Sequence, residues 1–526
     1  MRAQRLIPQT FTASLFSLAF LLSVVGCDSQ KAEEAAPQPI KAHNIRILYP
    51  PEARGVILSA IERFNAKNLP LSNGAVARLN GASFDDYTAT DKIGTPSQEV
   101  SLWIAPLSAL VVERSSQTGG VISGCAPLMS TRLGVAVRPI DTFILPTDKE
   151  RLSITSVLIP QEGKSQSQPA VVVGAPRFAS SGLLAALLTA AELAKTPLEQ
   201  LSPQAISSNA ASLGKAQESV RNYFVEDWNA LEWLTGRQGG DPLEVITTEQ
   251  AVQAFKSYNT SATISWFPFT SPGASLDYPL CDVTSKNDSP DDLEGAKLAR
   301  TFFSSDEFKS LIAPAGFSAP IPGNTTSQEN LGGSLRELLT RWPQIRRPSS
   351  TVFVVDTSIK TDRINMETIR RELSLFVEKR PSKDDTVAIV SASSDPDILR
   401  EPESDPELLK LSISRLTTSG GNAIRDGIET AFNIFEDISS TKYRRSVVVF
   451  TSAKDTSSQT AIEQLTNRAS QLVGRKNVDL FVIAIGGSEQ NFGELPAVTR
   501  KVGGTFVLTD IPSLPGKFYA IARRVQ

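Results

Sequence analysis

Two serines and a glycine, Ser180-Ser181-Gly182, stand directly before the apolar run Leu183-Leu184-Ala185-Ala186-Leu187-Leu188. That run is helical by composition and spacing. The first amides of such a helix lack intrahelical partners and lie at the positive end of its dipole. The segment can therefore receive an anion, with both hydroxyls as extra donors. Arg177 lies close enough in the chain to add charge. The competing reading is plain capping by Ser180 or Ser181, with Arg177 a solvated loop residue.

Other chemistry is pruned by what is missing. The chain has one histidine, His43, so a Ser-His-Asp hydrolase or a histidine-rich zinc site would rest on a single residue at the edge of the folded region. No Gly-x-Ser-x-Gly elbow occurs, and Gly163-Lys164-Ser165 ends like a phosphate loop but has Leu158 where the first glycine belongs. An enzyme is disfavoured, with a carboxylate- or metal-based one as the alternative. Cys125 and Cys281 are the only cysteines beyond Cys27. In an oxidising compartment such a pair forms a disulfide; two separate buried thiols are the alternative.

The start of the chain bears on that compartment. Arg2 and Arg5 precede an apolar run from Phe11 to Val25, and Val24-Val25-Gly26-Cys27 follows. A basic region, a short apolar region and a small residue make a secretory signal, and the run falls short of the ~20 residues a membrane span needs. The last four residues resemble the lipobox of bacterial lipoproteins. The resemblance implies that residues 1–26 are removed and that Cys27 becomes the acylated N-terminus, a firm anchor because each buried CH₂ adds about 0.8 kcal/mol. Residues 27–42, rich in Pro, Gln, Glu and Ala, read as a solvated tether. The expected location is the cell membrane, facing the periplasm or extracellular space.

With 526 residues, 40% of them hydrophobic, the chain can bury at least two cores. Its net charge of −3 gives no electrostatic reason to expect nucleic acid.

The first folded half is expected over residues 43–320. Strands are predicted at Asn44–Tyr49, Ala75–Leu79, Val100–Ile104, Leu133–Val137 and Val171–Val173. Helices are predicted at Leu183–Ala194, Val220–Leu234 and Glu249–Tyr258. Alternation of this kind implies an α/β fold with a mostly parallel sheet, whose ligands bind outside the carboxyl ends of the strands. Ser101–Ser108, Ala175–Leu184, Ala299–Phe308 and Ala315–Ser318 resemble segments of the two-lobed periplasmic solute-binding proteins. The resemblance implies a cleft for a small solute, with Pro50, Pro51, Glu52 and Ser108 from one lobe facing Arg177, Ser180, Ser181 and Gly182. Residues 321–348 read as a linker with a short helix at Leu335–Leu339.

The second half, residues 349–526, has a buried-strand run at Thr351–Val355, further strands at Thr386–Val390, Ser446–Phe450, Asp479–Ile485 and Thr505–Leu508, and helices between them. That is a doubly wound, mostly parallel sheet. Val354-Val355-Asp356-Thr357-Ser358, Gly420–Ile428, Val448–Ser452 and Phe481–Gly486 resemble the von Willebrand factor type A domain. That family often holds Mg²⁺ at the carboxyl edge of the sheet. Mapped onto its ligand positions, Asp356 and Ser358 are retained, while Lys360, Asn422 and Ser452 replace a serine, a threonine and an aspartate. An ammonium offers no lone pair, and one of two carboxylates is lost, so a degenerate, metal-free site is expected. Lys360 could occupy the metal position and pair with Asp356; the alternative is rescue by Asp426 or Asp455. The expected function is capture of a small solute with a protein partner at the C-terminal domain. The alternative is an envelope scaffold with a vestigial cleft.

Overall fold

The computed structural model describes residues 41–84, 93–95, 100–145, 152–159, 170–236, 242–320, 329–439, 442–475 and 478–525. The signal segment, Cys27, most of the tether and Gly163-Lys164-Ser165 lie outside the described residues. Among the described residues no helix is long and apolar enough to cross a membrane.

The chain begins lobe 1 with β1 (Ala42–Tyr49), β2 (Val76–Ser83), β3 (Leu102–Ile104) and β4 (Ile122–Pro127). It crosses to lobe 2 for β5 (Thr131–Val137), β6 (Ala170–Gly174), β7 (Val220–Phe224), β8 (Leu243–Thr248), β9 (Ser265–Pro268) and β10 (Ser275–Leu276). It then returns to lobe 1 with β11 (Pro279–Val283). Lobe 1 has strand order β2-β1-β3-β11-β4; lobe 2 has β10-β5-β8-β6-β7, with β9 on β5. Strands followed by helices pair in parallel, β1 with β2 and β3, and β6 with β7 and β8. The returning strands pair antiparallel, β11 with β3 and β4, and β5 with β8. With β9 and β10 also antiparallel to β5, the N-terminal half is two mixed sheets and not the mostly parallel sheet expected, because the strands at each crossover between lobes pair antiparallel.

Val220–Leu234, predicted as one helix, divides into the strand β7 and a helix at Asp227–Gly236. All five residues of Val220–Phe224 are buried at the sheet edge, so tertiary pairing outweighs helical spacing there.

Cys125 of β4 and Cys281 of β11 form a disulfide. Its position ties the point where the chain leaves lobe 1 to the point where it comes back.

The predicted linker is largely a helix, Glu329–Ile345, with Pro343 inside its last turn. It packs on the Ser108–Thr118 helix of lobe 1 and on the Pro203–Ser208 and Ala210–Gln217 helices of lobe 2. Gly332 permits this closeness, since a Cβ there would stand 2.8 Å from the Glu113 amide nitrogen. Arg336 pairs with Glu113 on one side at 3.1 Å, and Ser334 Oγ donates to the Leu201 carbonyl on the other at 2.8 Å. A single helix thus straps both lobes together.

The C-terminal sheet contains β12 (Ser349–Asp356), β13 (Thr386–Ala392), β14 (Pro396–Glu403), β15 (Arg444–Thr451), β16 (Val478–Ile485) and β17 (Thr505–Thr509), in the order β14-β13-β12-β15-β16-β17. Only β14 runs antiparallel. Alternate residues of β12 enter different cores. Val352 and Val354 pack with the Ile424–Ile434 and Ile462–Arg475 helices; Phe353 and Val355 pack with the Arg363–Glu378 and Leu514–Val525 helices. Burial on both faces explains the uninterrupted apolar run.

The amino ends of these strands sit on the edge strand β7 of lobe 2. Asn222 Nδ2 donates to Asp479 at 2.9 Å, and Arg221 donates to the Val473 carbonyl at 2.7 Å. Arg444 stacks over Tyr223, and Arg524 over both Phe224 and Phe481. Burial raises the Asp479 carboxyl and lowers the Arg524 guanidinium, as expected for a dry joint between two bodies.

Candidate functional site

Four strand-to-helix turns converge where the lobes meet. The carboxyl end of β1 leads through Pro50-Pro51-Glu52 into the Arg54–Ala66 helix. Those of β6, β7 and β8 lead into helices at Ser180–Ala194, Asp227–Gly236 and Glu249–Tyr258. They enclose a cleft of about 780 Å³ lined by Pro51, Glu52, Ser180, Glu226, Asp227, Trp228, Tyr258 and Phe317, among others. This is the place where open α/β sheets present ligand sites.

The start of the Ser180–Ala194 helix is already engaged. Ser180 hydrogen-bonds the Glu52 carboxylate, which also accepts from the Tyr278 hydroxyl at 3.0 Å. Ser181 Oγ donates to Asp227 at 2.7 Å. Neither serine caps the helix; its N-cap is Ala179, with no side-chain bond. The expected anion site therefore meets two acids of the chain itself, which take up the serine hydroxyls and oppose an anion when ionised. Gly182 serves packing, because a Cβ there would lie 1.9 Å from the Gly174 carbonyl oxygen. Gly182→Ala is expected to destabilise by about 1–3 kcal/mol through forced separation of helix and strand. A melting temperature equal to wild type would refute that account.

Three other predicted cleft residues lie elsewhere. Ser108 is buried at the start of its own helix, where its amide (2.9 Å) and its hydroxyl both donate to Asp277. Arg177 is exposed and outside the lining. Pro50 is buried, its carbonyl turned to the Ala53 amide at 3.0 Å. Conversely, Glu226, Asp227, Trp228 and Tyr258 were not singled out from sequence. Their signal, Val225-Glu226-Asp227-Trp228 directly after a strand, is hidden once Val220–Leu234 is read as a single helix.

The Asp227 carboxyl is pushed up to about 7, first by loss of water and then by the charges of Glu52 and Glu226; hydroxyls of Ser181 and Thr247 pull the other way. In an unfolded chain the group titrates near ~3.9. Between these values the folded protein holds a proton that the unfolded chain has lost. Stability from this group is then fully present below about pH 4 and lost as pH rises toward neutrality. Asp227→Asn is expected to flatten that decline in a series of melting temperatures against pH. Parallel curves for variant and wild type would remove Asp227 from the account.

At the carboxyl edge of the C-terminal sheet, Asp356 closes β12 and is nearly completely buried. One of its carboxylate oxygens accepts from the Ser358 amide at 3.0 Å. The other accepts from Asn422 Nδ2 and the Ser452 amide, both at 2.9 Å, and from Thr451 Oγ1 at 3.3 Å. Asn422 also donates to the Ala453 carbonyl at 3.1 Å, and its own oxygen takes the Ile424 amide at 3.1 Å. A family model for the von Willebrand factor type A domain matches residues 351–478.

Residues 351–478 form a von Willebrand factor type A domain.

Among solved structures, a von Willebrand factor type A protein from Catenulispora acidiphila is 19% identical with a TM-score of 0.28, over 34% of this chain and 42% of that one, so the chain spans less than half its length. BatB from Bacteroides thetaiotaomicron is 14% identical with a TM-score of 0.27, over 33% of this chain and 96% of its own. A substrate binding domain from Clostridium difficile is 10% identical with a TM-score of 0.33, over 53% of this chain and 100% of its own. No curated protein matches the chain.

The residues of the type A domain do not fit a magnesium ion. An amide nitrogen of Asn422 faces the Asp356 carboxylate and has no lone pair to give a cation. Lys360 does not take the metal position, because its side chain is exposed and Asn422 fills the donor role offered to it. Neither Asp426 nor Asp455 is available for rescue. Asp426 accepts from the Gln459 and Thr460 amides, both at 2.8 Å, and Asp455 accepts from the Arg425 and Ser458 amides. Ser358 Oγ and Ser452 Oγ remain enclosed without a protein partner, as hydroxyls that water satisfies often are. EDTA and Mg²⁺ are expected to leave the melting temperature unchanged. The Lys360→Ser/Asn422→Thr/Ser452→Asp variant should become Mg²⁺-dependent, because it regains hard oxygen ligands. A Mg²⁺ response in the wild type would sink this reading.

The C-terminal half also reaches the cleft wall. Arg523, in the Leu514–Val525 helix, lies 4.3 Å over the ring of Phe178, a cleft-lining residue.

Proposed function

We propose that the chain is a lipid-anchored binding protein of the cell envelope. Its N-terminal cleft holds a small solute, and its type A domain meets a protein partner without a bridging metal ion. The observation that carries the solute reading is the cleft itself. Its volume of about 780 Å³ is within the range of small-molecule sites, and polar groups from both lobes converge on it. Type A domains generally mediate contacts between proteins, which supports the second half of the proposal. The signal-like start, the lipobox resemblance at Cys27 and the Cys125–Cys281 disulfide support an oxidising location outside the cytoplasm.

One observation favours a scaffold instead. The Glu329–Ile345 helix bridges both lobes, which restrains the hinge motion by which clefts close on solutes. Thermal-shift screening with oxyanions, sugars, amines and amino acids decides between the two readings. A ligand at ~100-fold its dissociation constant stabilises by about 2.7 kcal/mol, and silence across every class would leave the scaffold. Mass spectrometry of the mature N-terminus tests the anchor: an acylated Cys27 is expected, and an unmodified chain in the cytosol would refute it.

A further inference from the structure

The walls of the cleft constrain what can enter it. Glu52, Glu226 and Asp227 line it, and Arg54 is the one basic side chain among the described lining residues. None of the three acids has an ion pair with another described residue. The side-chain hydrogen bonds to Glu52 and Asp227 come from neutral hydroxyls, those of Tyr278, Ser180, Ser181 and Thr247. Trp228 and Tyr258 meet edge to face with ring centroids 5.3 Å apart, and Phe317 joins them in the lining.

We propose that the cleft binds a small organic cation, an amine or a quaternary ammonium solute. Its charge lies against Glu52, Glu226 and Asp227, and its carbon framework against Trp228, Tyr258 and Phe317. The inference rests on the solute-binding reading above and names the class of solute.

Three acids without a counter-charge favour a positive charge placed among them, most where they are shielded from water, as at Glu52 and Asp227. Aromatic faces attract the same charge through their quadrupoles. An oxyanion meets repulsion at each acid that is ionised and finds only Arg54 as a basic side chain in the lining. A neutral sugar can stack on the rings but relieves none of the charge. Because Asp227 holds its proton up to about pH 7 in the empty cleft, a cation seated beside it displaces that proton.

The test is calorimetric titration of the purified full-length chain at neutral pH with choline, putrescine and lysine, against glucose, sulfate and molybdate. Each is repeated in two buffers of different ionisation enthalpy. At least one cation is expected to bind with proton release. Asp227→Asn and Trp228→Ala should each weaken it by about tenfold or more, and Arg54→Ala should tighten it. The melting temperature of each variant confirms that it folds. Binding of glucose or an oxyanion while all cations stay inert overturns this inference and leaves the solute-binding reading standing. Cation binding unaffected by both weakening variants overturns the assignment to this cleft. Absence of binding by every probe removes both readings together.

Discussion

Replacing Asp385 with alanine is expected to cost about 3–5 kcal/mol of folding stability, because it leaves a buried guanidinium without its counter-charge. Asp385 is almost fully enclosed and pairs with the equally enclosed Arg346 at 2.5 Å. It also accepts from the Ser349 amide at 2.7 Å, the Ser349 hydroxyl at 3.0 Å and the Ser382 amide at 3.2 Å. These bonds join the end of the strapping helix to the first strand of the type A domain and to the loop before the second. The single substitution removes acceptors from four donors and strands one charge. The double variant Arg346→Met/Asp385→Leu removes the charge from both sides, so its loss should be clearly smaller than that of Asp385→Ala alone. Urea titration of the two variants checks this. Equal losses would show that lost volume, and not the stranded guanidinium, sets the cost.

Removing the disulfide, as Cys125→Ser/Cys281→Ala, is expected to cost about 2–5 kcal/mol. The bridged residues are 156 positions apart, and the enclosed chain comprises β5 to β10, the whole strand set of lobe 2. Opening so long a loop restores much freedom to the unfolded chain, which is where a crosslink exerts most of its effect in the chain-entropy model. Cys281 is fully buried, so alanine is the appropriate replacement there; Cys125 is exposed and tolerates serine. Melting temperatures with and without reductant should separate in the wild type and coincide in the variant. Limited proteolysis should cut near residues 128–130 and 277–278 more readily once the bridge is gone. No change on reduction would mean that packing of β4 on β11 alone holds the two crossovers.

The disulfide also bears on where the protein works. A disulfide persists in an oxidising compartment, whereas most cytosols keep such a pair as thiols. The charge of the cleft gives a second, independent handle on solute chemistry. Neither depends on the type A domain.

Much of the architecture was legible in the residues. The run Thr351–Val355 announced a strand buried on both faces, and the Glu249–Tyr258 helix has the predicted limits. Loss of metal ligands at Lys360, Asn422 and Ser452 was likewise readable, since ligand chemistry belongs to the residue type. These features are local: a period of apolar residues or the absence of a lone pair needs no partner elsewhere to be recognised.

The tertiary structure decided what local pattern could not. Val220–Phe224 became a strand because it pairs with β6, and that placed Glu226 and Asp227 at a strand's carboxyl end. Ser180 and Ser181 became donors to Glu52 and Asp227 instead of caps or anion ligands, because lobe 1 and the turn after β7 bring carboxylates to them. Asn422, not Lys360, came to satisfy Asp356 across 66 positions of chain. Which polar group meets which buried partner is set by contacts between residues distant in sequence. The sequence by itself determined the elements and the ligand types, while only the folded chain determined the pairings that turn an expected anion site into an acidic, aromatic-walled cleft.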